Sequence, residues 1–149
     1  MKILTMVAAF AAVVLVPSAL ASSPRSGDLT ATKECSGFTG GAGSFCTITS
    51  SSLAAIEVGS KIVYLQPAAL FTPAGSDVVL DTPGPGNNAA YGNCSLAIGH
   101  CTFWGGTGKF TWFHASIAVS YLGGPNWAWD RTFSFSPPDR EKTPPLSTT

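Results

Sequence analysis

Short runs of alternating apolar and polar residues, separated by glycine- and proline-rich turns, restrict the fold of this chain more than any other feature. The clearest run covers residues 127–136, where four aromatic residues share one face of an extended strand: Trp127, Trp129, Phe133 and Phe135. Successive side chains of a β-strand point to opposite sides of the sheet, so this alternation is typical of a half-buried strand. Pro137 and Pro138 follow at once and end the strand, because proline cannot donate to a sheet ladder.

Similar runs recur at short intervals and predict further strands at residues 44–49, 61–66, 77–81, 89–98 and 115–121. The longest breaker-rich run, D-T-P-G-P-G-N-N at residues 81–88, predicts a loop. Antiparallel strands that meander at this spacing indicate a barrel or a sandwich. We predict an all-β fold, an antiparallel up-and-down β-barrel of about eight strands, because closure removes exposed strand edges. A β-sandwich is the alternative.

The stretch at residues 99–113, G-H-C-T-F-W-G-G-T-G-K-F-T-W-F, predicts a β-hairpin. Its two aromatic-rich arms, residues 101–104 and 109–113, flank a glycine-rich link that can adopt the positive φ angles of a tight turn. The same F-x-G-G-small-G-x-F pattern occurs at residues 38–45 and 103–110. This repetition indicates either one hairpin design used twice or a chance likeness between glycine-rich turns.

The beginning of the chain has the layout of a signal peptide. Lys2 precedes an apolar run at residues 3–16, and Ala19 and Ala21 occupy the small-residue positions that signal peptidase reads. The run is too short to span a bilayer comfortably. We therefore predict a signal peptide at residues 1–21, cleaved after Ala21, and a secreted or periplasmic product with no membrane attachment; an uncleaved anchor or a buried helix is the alternative. The rest of the chain is expected to comprise a flexible N-terminal segment (22–33), the barrel (34–137) and a disordered tail (138–149).

The four cysteines are expected to form two disulfides, because an even count in an exported chain is typical of an oxidising compartment. Of the three possible pairings, the local one is preferred, with bonds Cys35–Cys46 and Cys94–Cys101. Cys35 and Cys46 are equidistant from Gly40-Gly41, so a hairpin that turns there sets them face to face. If the loop instead spans residues 40–43, a β-bulge is needed to keep that register. A zinc site is the alternative, but the spacings lack the usual ligand pairs, and we expect no metal and no cofactor.

The charge balance excludes one class of partner. The chain has eight basic and eight acidic residues and no basic patch of the kind that nucleic acid requires. The expected partner is instead a small hydrophobic molecule, and no pattern indicates a particular oligomeric state. The sequence contains neither a G-x-S-x-G elbow nor a complete P-loop, so no catalytic residue is assigned.

The run Gly105-Gly106-Thr107-Gly108-Lys109-Phe110 resembles the G-G-T-G-x-F turn of dirigent proteins, which share a barrel superfamily with allene oxide cyclases. The chain resembles a secreted bacterial relative of that superfamily, of unknown role. This resemblance implies an eight-stranded barrel with a lumen that acts on or holds small hydrophobic or phenolic molecules. Dirigent proteins tend to place Ala-Arg-Gly soon after the turn, whereas Phe113-His114-Ala115 stands there in this chain, so no arginine is carried over. No motif carries the catalytic residues of an allene oxide cyclase.

Four residues are candidates for ligand binding. Phe110, Trp112 and His114 share one face of a predicted strand, and that face would form an aromatic pocket with a titratable group if it lined the barrel lumen. The alternative is a structural His114 on the outer face. Arg131 interrupts the aromatic face of residues 127–136 and would contact an anion inside the barrel, unless a bulge turns it to solvent.

Three functions remain open from the sequence. The leading hypothesis is a secreted, disulfide-stabilised and non-catalytic barrel that binds a small hydrophobic ligand or has a structural role. The second is an isomerase or cyclase-like enzyme acting on a small apolar substrate, with His114 or Arg131 in the lumen. The third is a surface interaction module that binds a partner through exposed tryptophans. The alternative for these tryptophans is a place in the hydrophobic core; they are Trp104, Trp112, Trp127 and Trp129.

Overall fold

The computed structural model describes residues 25–68 and 74–137, which form a closed antiparallel barrel of eight strands in sequence order. The strands are β1 Ser26–Glu34, β2 Phe45–Ser51, β3 Lys61–Tyr64, β4 Ser76–Asp81, β5 Ala89–Ser95, β6 His100–Gly106, β7 Phe113–Gly123 and β8 Asn126–Phe135. The predicted all-β up-and-down barrel is thereby confirmed. The predicted signal peptide at residues 1–21 and the predicted tail at residues 138–149 lie outside the described residues.

The first strand corrects one expectation. The prediction of a flexible segment at residues 22–33 is wrong from Ser26 onward, because β1 pairs with β8 from Ser26 opposite Ser134 to Glu34 opposite Asn126. This ladder closes the barrel. The polar composition of the segment concealed a strand whose inward positions are Leu29, Ala31 and Lys33, all buried.

The hairpin predicted at residues 99–113 is present, but its second arm begins later than expected. Residues 109–112 are not a strand, and the 3-10 turn Gly108–Phe110 precedes β7. Phe110 is fully buried in this turn and packs edge-on against Phe113, with ring centroids 5.3 Å apart. The turn therefore closes one end of the barrel with an aromatic side chain. We call this end the plug end.

The opposite end of the barrel gathers the β1–β2, β3–β4, β5–β6 and β7–β8 connections, because successive strands run in opposite directions. We call it the loop end. The two F-x-G-G segments lie at different ends, with residues 38–45 at the loop end and residues 103–110 at the plug end. Between the two ends the lumen is filled by inward side chains that are almost completely buried, including Leu29, Ile48, Ile62, Leu80, Phe103 and Ile117.

Both predicted disulfides are present. Cys35 and Cys46 have Cα atoms 4.2 Å apart, and Cys94 and Cys101 have Cα atoms 4.1 Å apart. Cys94 and Cys101 are directly opposite each other in the β5–β6 ladder. At the other bridge, a register shift between Thr32 and Lys33 places Glu34 opposite Thr47, one pair before the disulfide. This irregularity lies on the far side of the disulfide from the β1–β2 turn, so it is not the bulge considered for a loop at residues 40–43.

Candidate functional site

The loop end holds a cavity of about 490 Å³, which we call the end chamber. It lies where inward positions of the strands reach the loops, above the filled part of the lumen. Apolar atoms dominate its wall, which is formed by Lys33, Cys35, Phe38, Thr39, Gly40, Cys46, Tyr64, Ala68, Leu96, Val119 and Trp127. Thr39 is exposed and Gly40 is half-buried, so this part of the β1–β2 connection forms the outer rim. The volume is in the range of cavities that hold small organic molecules.

Lys33 is the charged residue of this wall. It follows Leu29 and Ala31 on the inward face of β1, and only 2% of its surface is exposed. Its Nζ donates a hydrogen bond to the Tyr64 hydroxyl oxygen at 3.2 Å. Within residues 25–68 and 74–137, no carboxylate lies within 4.0 Å of that amine. Lysine is almost never fully buried without a charged partner, so this arrangement is unusual for a side chain that only fills a core.

Burial changes the protonation chemistry of both polar groups. Loss of solvation lowers the pKa of Lys33 from its ordinary value of 10.5 to about 8. The same cause raises the pKa of Tyr64 from 10.0 to about 12. At neutral pH the chamber therefore presents a lysine that is mostly cationic beside a tyrosine that is neutral.

Trp129 lies one inward position deeper than Trp127 and is 1% exposed. The Lys33 Nζ is 5.3 Å from its ring centre and 5.8 Å from the ring centre of Tyr64, within the range of cation–π attraction. The indole Nε1 of Trp129 is buried and has no hydrogen-bond partner among the described residues. Buried N–H groups are nearly always paired, so an unused donor near the chamber is a feature that needs an explanation.

The rim of the chamber is held by backbone bonds and by a covalent bond. Gly43 N donates to Tyr64 O at 2.7 Å, and Ala68 N donates to Gly40 O at 3.1 Å, so the β1–β2 connection is tied to β3 and the residues after it. The Phe38 ring stands edge-on over Tyr64, with centroids 4.9 Å apart. The Cys35–Cys46 disulfide forms part of the wall itself. These connections hold the rim in place around an otherwise unfilled space.

None of the four candidate residues from the sequence lines the end chamber. Trp112 and His114 are exposed on the outer side of the barrel, because the inward face of β7 carries Phe113, Ala115 and Ile117 instead. The lumenal placement of the His114 face is therefore wrong, and the outer-face alternative is the one observed. Phe110 is buried, but at the plug end, far along the barrel from the chamber.

Arg131 is exposed as well, although the way it leaves the barrel differs from the predicted bulge. It stays in register opposite Leu29 in β1 and Ile117 in β7, both of which are fully buried. Its backbone instead adopts a φ of 147°, which is rare for a residue with a side chain. Arg131 therefore occupies a position whose ladder partners point into the barrel, yet its guanidinium is exposed. The unusual φ angle is found at this residue, and the strand contains no extra residue there.

The described part of the barrel has two other depressions. One of about 390 Å³ lies on the outer face of β6, β7 and β8 and includes Trp104 and His114. The other, of about 660 Å³, lies at the plug end beside Lys109 and Glu57, which form an ion pair. Thr39 is the only exposed residue among the described residues of the end-chamber wall, whereas several exposed residues line each of the other two depressions. The end chamber also contains the buried Lys33–Tyr64 pair. The end chamber is therefore the strongest candidate site.

Sequence reasoning missed Lys33 and Tyr64. The available signal was the alternation of Leu29, Ala31 and Lys33, which predicts that all three share a face. Their convergence with Tyr64 depends on the pairing of β1, β2 and β3, which joins residues 31 positions apart. No local motif carries that information.

Within residues 25–68 and 74–137, no group of three or more His, Cys, Asp or Glu side chains is placed to hold a metal ion. No helix in that part of the chain is long and apolar enough to cross a bilayer. The chain matches no protein-family model, no curated protein and no solved structure. Its function is therefore inferred from the chemistry of the end chamber.

Proposed function

We propose that this protein is a secreted, disulfide-stabilised barrel that binds a small apolar molecule in the end chamber. The observation that carries the proposal is the cavity of about 490 Å³ at the loop end, walled by apolar groups and one buried lysine–tyrosine pair. A space of this size, beside a lumen that is otherwise filled, is typical of a ligand site.

The construction of the rim supports a binding role. A rim held by the Cys35–Cys46 disulfide and by backbone bonds loses little conformational freedom when a ligand enters. Such preorganisation favours affinity because less ordering is needed at the moment of binding. The apolar wall contributes favourable free energy through burial of the ligand's own apolar surface.

Export belongs to the same proposal. The layout of residues 1–21 favours cleavage after Ala21, and the two disulfides are consistent with an extracellular or periplasmic location. The resemblance of residues 105–110 to dirigent proteins and allene oxide cyclases is part of the proposal too, since those barrels hold or transform small molecules. N-terminal sequencing of the exported product tests the first point, with Ser22 as the expected first residue.

Native mass spectrometry of the exported protein tests the binding role. The expected result is an additional mass that disappears on denaturation and belongs to a small organic molecule. Val119→Phe, which places a larger ring at the chamber wall, should reduce that additional mass. Val79→Phe, a change on the outer side of β4, should leave it unchanged. A bare protein that also takes up no apolar molecule from an added panel would contradict the proposal and favour a structural role.

The enzyme alternative loses the residues on which it was based. His114 and Arg131 are exposed, so neither can act on a molecule held in the lumen. The surface-module alternative keeps two residues, because Trp104 and Trp112 are about half-exposed, at 52% and 48%. The response of Trp104 and Trp112 to an added ligand can therefore be compared with that of Trp127 and Trp129, which lie at or beside the end chamber.

A further inference from the structure

We propose that the end chamber recognises its apolar ligand through a carboxylate group, which binds at Lys33, Tyr64 and Trp129. This inference rests on the proposed function and adds the chemical class of the ligand. The proposed anchor combines the Lys33 ammonium and the Tyr64 hydroxyl of the chamber wall with the indole N–H of Trp129, which lies beside them. All three can donate a hydrogen bond, so together they fit a group that only accepts.

The charge of Lys33 gives the first reason. Its hydrogen bond to Tyr64 satisfies one of three ammonium protons, and no described carboxylate neutralises it. An unpaired buried charge is costly, and an opposite charge at hydrogen-bond distance removes much of that cost. A ligand carboxylate therefore supplies the negative charge that no described residue places beside Lys33.

The unpaired indole of Trp129 gives the second reason, independent of charge. Its N–H is buried without a partner, while its ring lies 5.3 Å from Lys33 Nζ. The proposal places a ligand oxygen where it accepts from both Lys33 and this N–H. The Tyr64 hydroxyl accepts from Lys33 through its oxygen, which leaves its own proton free to be donated to the ligand.

The single charge of Lys33 and the apolar surface of the rest of the chamber wall indicate which anion binds. One lysine offers a single positive charge, which matches a carboxylate better than the approximately double charge of a phosphate monoester. The remaining wall, including Phe38, Leu96 and Val119, is apolar and fits a hydrocarbon body. The ligand class is therefore a small apolar carboxylic acid.

Calorimetric titration with matched ligands tests this inference. Two scaffolds are used, each with an acid and a neutral partner: decanoic acid with decanol, and naphthoic acid with naphthalenemethanol. Decylamine and decyl phosphate complete the set. For at least one scaffold, the acid should bind about tenfold or more tightly than its alcohol, as expected for a charge-assisted hydrogen bond. Decylamine should bind more weakly than decanol, and decyl phosphate more weakly than decanoic acid.

Substitutions locate the effect in the chamber. Lys33→Met should remove the preference for the acid while leaving alcohol binding within about twofold, since the apolar wall persists. Trp129→Phe and Tyr64→Phe should each weaken acid binding more than alcohol binding. Lys61→Met is the matched control, because Lys61 is an exposed lysine on β3 and is absent from the chamber wall. It should change neither affinity.

The pH dependence provides a separate readout. Among the described groups that line the chamber from every strand and connection, Lys33 and Tyr64 are the titratable ones, and Tyr64 keeps its proton to about pH 12. Lys33 loses its proton near pH 8 in the free protein. Acid affinity should therefore fall about tenfold between pH 7 and pH 9, while alcohol affinity stays level.

The outcomes separate the two proposals. If the alcohols bind as tightly as the acids, the carboxylate inference fails and the binding function stands. If decyl phosphate or decylamine binds more tightly than decanoic acid, the assignment of a carboxylate is likewise overturned. If no member of either scaffold binds, the proposed binding function itself is contradicted.

Discussion

Replacing Lys33 with methionine should make this protein more stable at neutral pH. The buried amine has a pKa of about 8 in the folded chain and an ordinary value of 10.5 when solvated. Each unit of difference between the folded and unfolded pKa corresponds to about 1.4 kcal/mol. The buried cation therefore lowers the free energy of unfolding by roughly 3 kcal/mol below pH 8. Methionine has a similar length and no charge, and it gives up a hydrogen bond to Tyr64 worth about 1 kcal/mol. The net gain expected at pH 7 is about 2 kcal/mol.

The sign of the pH dependence follows from proton binding. Between pH 8 and pH 10.5 the unfolded chain holds more protons at Lys33 than the folded chain does, so the wild-type free energy of unfolding rises with pH. The advantage of Lys33→Met should therefore be full below pH 8 and shrink as pH increases. Above pH 10 the raised pKa of Tyr64 acts in the opposite direction, because the unfolded chain then loses a proton that the folded chain retains.

Urea unfolding with the disulfides intact measures these differences at unit pH steps from 6 to 10. Lys61→Met serves as the control, with an exposed lysine whose removal should change stability by about 1 kcal/mol or less at every pH. A difference between Lys33→Met and wild type that stays constant across this range would refute the reasoning. So would a variant that is less stable than wild type at pH 6 and pH 7.

Other substitutions test the surrounding structure. Tyr64→Phe should destabilise the protein by about 1–3 kcal/mol at pH 7 by removing the hydrogen-bond partner of Lys33, and by less in the Lys33→Met background, as a double-mutant cycle in urea would measure. A double substitution of Cys35 and Cys46 by serine should lower the free energy of unfolding by about 2–3 kcal/mol and weaken ligand binding, because this disulfide forms part of the chamber wall. The same double substitution at Cys94 and Cys101 should lower stability by a similar amount and leave ligand binding intact. Gly92→Ala should cost about 1–3 kcal/mol, because a Cβ there would clash with the Thr102 carbonyl oxygen and lie 2.7 Å from the Phe103 ring. Gly41→Ala, with no atom nearer than 3.6 Å, should be close to neutral in the same unfolding assay. Arg131→Gly should raise the thermal midpoint by relieving a φ of 147°, and Ser134→Gly in the same strand should lower it; a fall with both variants would contradict backbone strain at residue 131.

The strands were largely predictable from the sequence because their alternation is local. Residues 127–136 carry four aromatic side chains on one face, and the structure turns Trp129 and Phe133 of that set into the core. β1 escaped prediction because Thr30, Thr32 and Lys33 make its composition polar, although its alternation is regular. The pairing of β1 with β8 and the burial of Lys33 both follow from closure of the barrel. A short stretch of sequence does not contain that information.

The site was less predictable than the fold for a physical reason. Whether a strand face points into a barrel depends on the register of the whole sheet, so the sequence of residues 110–114 left both choices of face open. The choice was resolved by the 3-10 turn at Gly108–Phe110, after which Phe113, rather than His114, points inward. The presence of a cavity also depends on how the loops cover the end of the lumen. That arrangement forms only when the chain folds, so it could not be predicted from local sequence.

The four tryptophans give the most direct test of ligand binding in the end chamber. Trp127 and Trp129 lie at or beside the chamber, whereas Trp104 and Trp112 are exposed on the outside, so the indole N–H signals of a nitrogen-15 spectrum report both places at once. Single Trp→Phe variants assign the four signals. On saturation with decanoic acid, the signals of Trp127 and Trp129 should shift while those of Trp104 and Trp112 stay in place. Shifts confined to Trp104 and Trp112 would contradict the chamber and place binding on the outer surface.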